Sequence, residues 1–290
     1  MHPAPSVILF STLSGMGLGL LAFLGAGLTL TTGWPAFLWW GLGYALAVGG
    51  LMASTFHLGN PRRALLAFTQ WRSSWLSREA WTSVAALLIL APVALSDIAG
   101  FAMPRLIGQI GAVLSLGTVF TTAMIYTQIR AVPRWHHWIT PVMFLSFAIT
   151  GGALLSGQSW AGWSVTGLAV VLALHWRIGD GQFARAAQDM GTATGLGRIG
   201  TVLSFEQAHT AGNYLLREMI FVVGRKHADK LRAIAMALAV VLPVLVLLLA
   251  PRGAATFALA ALCHLTGTLA QRWLFFAEAE HVVGLYYGKR

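Results

Sequence analysis

The sequence predicts an all-α fold, a polytopic membrane protein whose eight transmembrane helices form one bundle. Composition is the first reason. Of 290 residues, 57% are hydrophobic and only 10% are Asp, Glu, Lys or Arg, whereas soluble domains carry roughly 25% charged residues. A mean hydropathy of +0.71 points the same way, and it excludes both an ordinary water-soluble domain and a disordered chain. Repetition is the second reason. Crossing about 30 Å of hydrocarbon takes roughly 20 helical residues, and apolar stretches of that order recur along the whole chain. They define one integral membrane domain over residues 1–290, with a long charged connection at residues 178–231.

The first span reads as Val7–Thr32, too long and too little basic at its start for a cleaved leader. Its glycines, with those of the second span at Phe37–Phe56, suit close helix contact, because lipid supplies no hydrophobic drive between helices. The third reads as Trp81–Leu95, with a start as early as Arg78, and the fourth as Leu106–Ile129. The fifth is Ile139–Leu155 and the sixth Trp163–Trp176. The seventh is Ile234–Ala250 and the eighth Ala254–Phe276. The third and sixth are short by this measure. Between the sixth and seventh, Glu206, His209, Arg217 and Glu218 stand among apolar residues. They predict an amphipathic helix over Thr201–Val223, with a ninth, tilted span as the competitor. Cys263 lies inside an apolar segment and reads as a packing residue.

Charge supplies the third reason and an orientation. The 19 basic and 9 acidic residues give a formal charge of +10, and the bases gather in alternate connections. Arg62, Arg63, Arg72 and Arg78 separate spans two and three, and Arg130 and Arg134 separate four and five. From Arg177 to Arg232 bases outnumber acids, while the intervening connections are nearly bare. The positive-inside rule places the charged connections and both termini in the cytoplasm. Trp34, Trp39, Trp40, Trp160 and Trp163 then belong to the outer aromatic belt, and Trp71, Trp75, Trp81, Trp135, Trp138 and Trp176 to the inner face. No zinc-finger spacing and no aromatic–basic groove points to nucleic acid.

The chemistry-bearing segment is Ser54–Trp81. His57 ends span two and Glu79 begins span three, so a helical hairpin returns both to one face although they lie far apart in sequence. A histidine and a partly desolvated glutamate can exchange protons with a hydroquinone entering from lipid. Arg62, Arg63 or Arg78 would hold or tune Glu79. The competing reading is interfacial capping with lipid headgroup contact. A second polar cluster, Arg272, Glu278, Glu280 and His281, marks where span eight leaves the membrane. It reads as an anchored helix terminus, with a part in a quinone pocket as the alternative. A b-type haem would need two facing axial histidines, and His57, His136, His137, His175, His264 and His281 offer no convincing mid-membrane pair. There is no zinc, nucleophile-elbow or paired-cysteine motif.

The stretches FHLGNPRRALLAFTQWRSSWLSREA, EMIFVVGRKHADKLR and RWLFFAEAEHVVGLYYG resemble the DmsC family, the membrane anchor subunits of dimethyl sulfoxide reductase-like molybdoenzymes. The resemblance covers essentially the whole chain. It implies a three-subunit complex in the bacterial inner membrane. A catalytic subunit would carry molybdopterin guanine dinucleotide, and a ferredoxin-like subunit would carry iron–sulfur clusters. This chain would exchange electrons with menaquinone or ubiquinone and hold no haem or metal itself. The resemblance matches the family's quinone-linked histidine to His57 and its essential glutamate to Glu79. It matches the basic residue after the HLG segment to Arg62, with Arg63 beside it. Trp75 stands where the family has glycine. The resemblance extends to anchors of sulfite dehydrogenases, which would deliver electrons to quinone rather than draw them from menaquinol. A purely structural anchor and a haem cytochrome are the competing functions.

Overall fold

A computed structural model describes residues 2–57, 60–206, 211–220 and 225–288, and the side chains of His57, Pro61 and Arg62 lie outside the description. The described residues contain helices and no strand. The apolar helices are α1 (Pro5–Gly25), α2 (Gly33–Ala53), α3 (Trp75–Ala99), α4 (Arg105–Thr127), α5 (Ile139–Leu155), α6 (Ala161–Arg185), α7 (Ala228–Leu249) and α8 (Ala254–Ala277). Seven are long and apolar enough to cross a membrane, and α5, with 17 residues, is the shorter eighth. A helix of that length reaches about 25 Å. That suffices for a helix walled in by neighbours, and most of α5 is buried.

The element ends have local causes. Gly27 and Gly33 adopt positive φ, so the chain turns after Gly25 instead of running on to Thr32, and α2 starts before Phe37. Ser74 caps α3 by accepting from the Ser77 amide at 3.5 Å, and left-handed Gly100 ends the helix. This helix is therefore much longer than Trp81–Leu95. Helix α6 likewise runs beyond Trp176, carrying Asp180 into reach of Arg134 and Arg232. Helix α7 contains a π turn at Ala237–Val241, and His264 of α8 places Nδ1 3.1 Å from the Ala239 carbonyl oxygen within that turn.

Two expectations are corrected. The described residues of Thr201–Val223 form no continuous helix and no ninth span; the helix there is confined to Tyr214–Glu218. Gly195, Gly197, Gly200 and Gly212 punctuate this connection, and each glycine costs a helix about 1 kcal/mol relative to alanine. His209 lies outside the described residues. Trp40 is no belt residue: it is 1% exposed, and its Nε1 donates to Asp97 Oδ2 at 2.9 Å. Trp135 and Trp176 are buried as well, whereas Trp34 and Trp163 are exposed as expected.

Helix α1 is the hub. Of its apolar window 83% is buried, against 22% for α7, and it packs on α2, α4, α5 and α8. Glycines let the backbones meet. A Cβ on Gly50 of α2 would stand 2.3 Å from the Ser14 amide nitrogen, and one on Gly19 would stand 2.0 Å from the Ala148 carbonyl oxygen of α5. Gly25 and Gly108 bring α1 and α4 together in the same way. Neighbouring Gly49 faces open space. The pair gives a controlled comparison. Gly50→Leu is expected to lower the thermal unfolding temperature of the detergent-solubilised protein, at a cost of about 1–3 kcal/mol for forced separation. Gly49→Leu should leave it within experimental scatter. Equal melting of the two variants would contradict the packing.

Candidate functional site

The charged connections gather at one end of the bundle. The His2 amide donates to the Glu218 carbonyl at 2.6 Å, the Val282 amide to the Ala131 carbonyl at 2.9 Å, and Asn213 Nδ2 to Tyr287 Oη at 3.0 Å. At the other end Gln158 Nε2 donates to the Leu28 carbonyl at 3.1 Å and to Thr29 Oγ1 at 2.9 Å. The alternation read from charge is thus present in the fold.

Glu79 lies at the charged end, in the second turn of α3. A short 3-10 turn, Ser54–His57, closes α2, and a second one, Pro61–Phe68, lies along α3. Trp81 Nε1 donates to the Phe68 carbonyl at 2.9 Å, and the two rings meet edge to face at 5.4 Å. The hairpin therefore brings the backbone of His57 to the same end as Glu79. Arg78 does not meet Glu79. Its Nε and Nη2 donate to the Trp71 and Arg72 carbonyls at 3.0 and 2.8 Å, and its guanidinium sits 4.2 Å from the Trp75 ring. Arg78 thus fastens the connection to the helix. The Trp75 side chain supplies the platform for it. Arg63 is exposed.

The Glu79 side chain turns inward, 5% exposed, and hydrogen-bonds Thr122 of α4 through Oε1. Thr122 Oγ1 is also 2.9 Å from the Thr118 carbonyl oxygen. A hydroxyl has one proton to donate and lone pairs to accept. Facing an ionised Glu79, it donates to the carboxylate. Facing a protonated Glu79, it accepts from the acid and donates to the Thr118 carbonyl. One residue thus satisfies both protonation states without moving.

Tyr126, one turn beyond Thr122, lies within electrostatic reach of both Glu79 and Arg272. Its ring is enclosed by Trp135, Phe144, Phe275 and Phe276, with centroids 5.4 to 5.7 Å away. Arg272 is 1% exposed and places its guanidinium 3.5 Å from the Phe144 centroid and Nη1 3.3 Å from Met143 Sδ. A desolvated cation over an aromatic face is worth about 2 kcal/mol. Beside it, the polar atoms of His175 and Gln271 are buried with no hydrogen-bond partner among the described residues. Buried polar groups are expensive inside a membrane protein and concentrate at functional sites. Thr122 and Tyr126 escaped the sequence reading. The one signal was the run of threonines Thr118, Thr121 and Thr122 late in the fourth span.

The second polar cluster divides. Arg272 packs against Phe144 and Met143 beside the Tyr126 cage, whereas Glu278, Glu280 and His281 serve packing at the helix end. Glu278 accepts from Arg134 Nη2 at 2.8 Å and from Arg232 Nε at 2.6 Å, and both arginines also bind Asp180, at 3.0 and 2.5 Å. Four ion pairs thereby brace the α4–α5 connection, α6, α7 and the end of α8. Burial pushes the Glu278 carboxyl above its usual range, and the two guanidiniums oppose that shift. Glu280 pairs with Arg225 at 3.1 Å. His281 Nδ1 accepts from the Val283 amide at 3.0 Å, and burial lowers the pKa of the ring. Among the described residues no group of three His, Cys, Asp or Glu side chains is placed to hold a metal ion.

With this geometry in hand, residues 38–278 match the family model of the DMSO reductase anchor subunit, DmsC. The chain belongs to the DmsC family. It is also 31% identical to a sulfite dehydrogenase subunit of Allochromatium vinosum over 336 aligned residues, 99% of each chain. No solved structure matches. As a DmsC protein the chain is a membrane anchor subunit of an oxidoreductase complex. The matched region contains His57, Glu79, Thr122 and Arg272.

The ion-pair brace predicts an asymmetry of stability. Glu278→Leu removes the buried carboxylate that Arg134 and Arg232 share and leaves both on half-exposed Asp180, and breaking a buried pair costs roughly 3–5 kcal/mol. Arg225→Ala removes a single ion pair whose two partners are both partly exposed, worth about 1 kcal/mol or less. Thermal unfolding of the two variants in detergent should differ accordingly, and a milder effect from Glu278→Leu than from Arg225→Ala would contradict the brace.

Proposed function

We propose that this chain is the quinone-reactive subunit of a three-subunit molybdopterin iron–sulfur oxidoreductase. It passes electrons between membrane quinone and a ferredoxin-like iron–sulfur subunit docked on the charged face. The observation that carries this reading is the buried Glu79 carboxyl paired with a hydroxyl that accommodates it with or without a proton. It stands at the end of the bundle where the charged connections could receive a soluble partner. A quinone interconverts with its hydroquinone by two electrons and two protons. The chain's part is to bind the ring and handle those protons. In this reading His57 hydrogen-bonds one quinone oxygen, and Glu79 holds or yields a proton toward the near aqueous face. Thr122 keeps the carboxyl oriented. Arg62, Arg63 and Arg78 line the approach, with Arg78 acting through the connection it fastens.

The distribution of arginine and lysine supports a cytoplasmic position for the charged face and both termini in the bacterial inner membrane. Similarity to a sulfite dehydrogenase subunit favours one direction of flow. Electrons released by the molybdopterin subunit would run through the clusters to menaquinone or ubiquinone, and the quinone would take up protons. The family model, named for DMSO reductase, supports the opposite direction as the second reading. The site serves both, because proton transfer to and from a carboxyl is reversible.

Removing a general acid–base group typically costs 10²–10⁴-fold in rate. Quinone-linked turnover of the assembled complex is therefore expected to fall about a hundredfold or more in Glu79→Gln, and to fall strongly in His57→Ala. Thr122→Val, which removes one hydrogen bond worth about 1 kcal/mol, should lower turnover about fivefold. Electron transfer to artificial dyes by the soluble subunits should persist in all three. Normal quinone-linked turnover in the assembled Glu79 and His57 variants would leave the chain a purely structural anchor.

A further inference from the structure

Two roomy cavities lie at the opposite end of the bundle from Glu79. One, of about 290 Å³, opens between α6, α7 and α8, lined by Trp163, Leu247, Leu248 and Phe257. The other, of about 460 Å³, opens between α2, α5 and α8, lined by Trp39, Leu42, Leu155 and Phe257. Both are predominantly apolar, and both are lined by Arg252. A membrane thickness of about 30 Å separates this end from the charged face, so neither cavity fits the quinone site proposed above.

The shared cation identifies the occupant. The connections at this end carry almost no charge, with Asp97, Arg105 and Arg252 as the ionisable residues near them. Asp97 is engaged by Trp40. Arg252 is exposed in the loop before α8, and no carboxylate among the described residues lies within ion-pair distance of it. One cation at the level of Trp39 and Trp163, with an apolar cleft on each side of Phe257, matches a molecule with one phosphate and two hydrocarbon chains. We propose that this end of the bundle is a specific site for an anionic phospholipid, its phosphate on Arg252 and one acyl chain in each cleft. The site is independent of the quinone reading.

The test is native mass spectrometry of the full chain released from detergent, with added phosphatidylglycerol or phosphatidylcholine of identical chains. Wild type is expected to retain phosphatidylglycerol about fivefold better, the scale of one basic residue near an anionic headgroup. Arg252→Gln should abolish that preference. Gly162 lines the smaller cleft and has open space where a Cβ would stand. Gly162→Leu should therefore fold normally yet lower retention of both lipids. Equal retention of the two lipids by wild type, or an undiminished preference in Arg252→Gln, would overturn the proposal. So would unchanged retention in a folded Gly162→Leu, because the clefts would then not hold the chains.

Discussion

Backbone-to-backbone approach along α1 is the constraint from which the arrangement follows. In lipid, apolar side chains gain little by meeting one another, so helices associate through close packing. Gly17 and Gly50 seat α1 against α2, Gly19 and Gly152 seat it against α5, and Gly25 and Gly108 seat it against α4. Helix α3 is then fixed indirectly. Leu90 of α3 fills the space beside Gly25 and Gly111 at the bare end. At the charged end the α3–α4 pair is joined by polar contacts, Thr82 with Thr121 at 3.3 Å and Glu79 with Thr122. A polar contact among packed helices is tolerable only if its partners are placed in advance, and the glycine contacts of the hub perform that placement.

The same economy of charge shapes the two faces. Four guanidiniums at the charged end show two arrangements: Arg134 and Arg232 are braced by carboxylates, and Arg272 and Arg78 are laid over aromatic rings. Each arrangement offsets desolvation, the first by Coulomb attraction and the second by the ring quadrupole. The braced pair ties the end of α8 to α6 and α7. That fixes the depth at which Arg272, less than two turns earlier on α8, meets the aromatic cage around Tyr126. The sites that look reactive and the sites that look merely adhesive are therefore mechanically continuous.

Much of this was legible in the sequence. Fold class, the number of apolar helices and the alternation of charged and bare connections follow from residue type and length alone, because lipid admits so few solutions. Helix ends were less legible. The third and sixth spans read short from hydropathy because the helices continue past their most apolar stretches, as far as Trp75 and Arg185. Trp40 was misplaced because indole suits both an interface and a core that offers an acceptor, and Asp97 is far away in sequence. The sequence suggests arginines nearby in the chain as the partners of the Glu79 carboxyl. Thr122 lies on another helix, and only tertiary packing brings it to the carboxyl.

Two buried glutamates at one end of the bundle show how partner choice separates structure from chemistry. Glu278 accepts from two guanidiniums, and each of these also binds Asp180. A proton placed on Glu278 would deprive Arg134 and Arg232 of their shared buried counter-charge and loosen four elements together. Glu79 faces a neutral hydroxyl whose lone pairs and single proton suit either form. A proton placed there requires only that donor and acceptor exchange roles, with Thr118 supplying the acceptor that Thr122 then needs. Of the two carboxyls, the one with the weaker partner is the one that can gain or lose a proton without disturbing the fold. The quinone site proposed for this chain would need such a group.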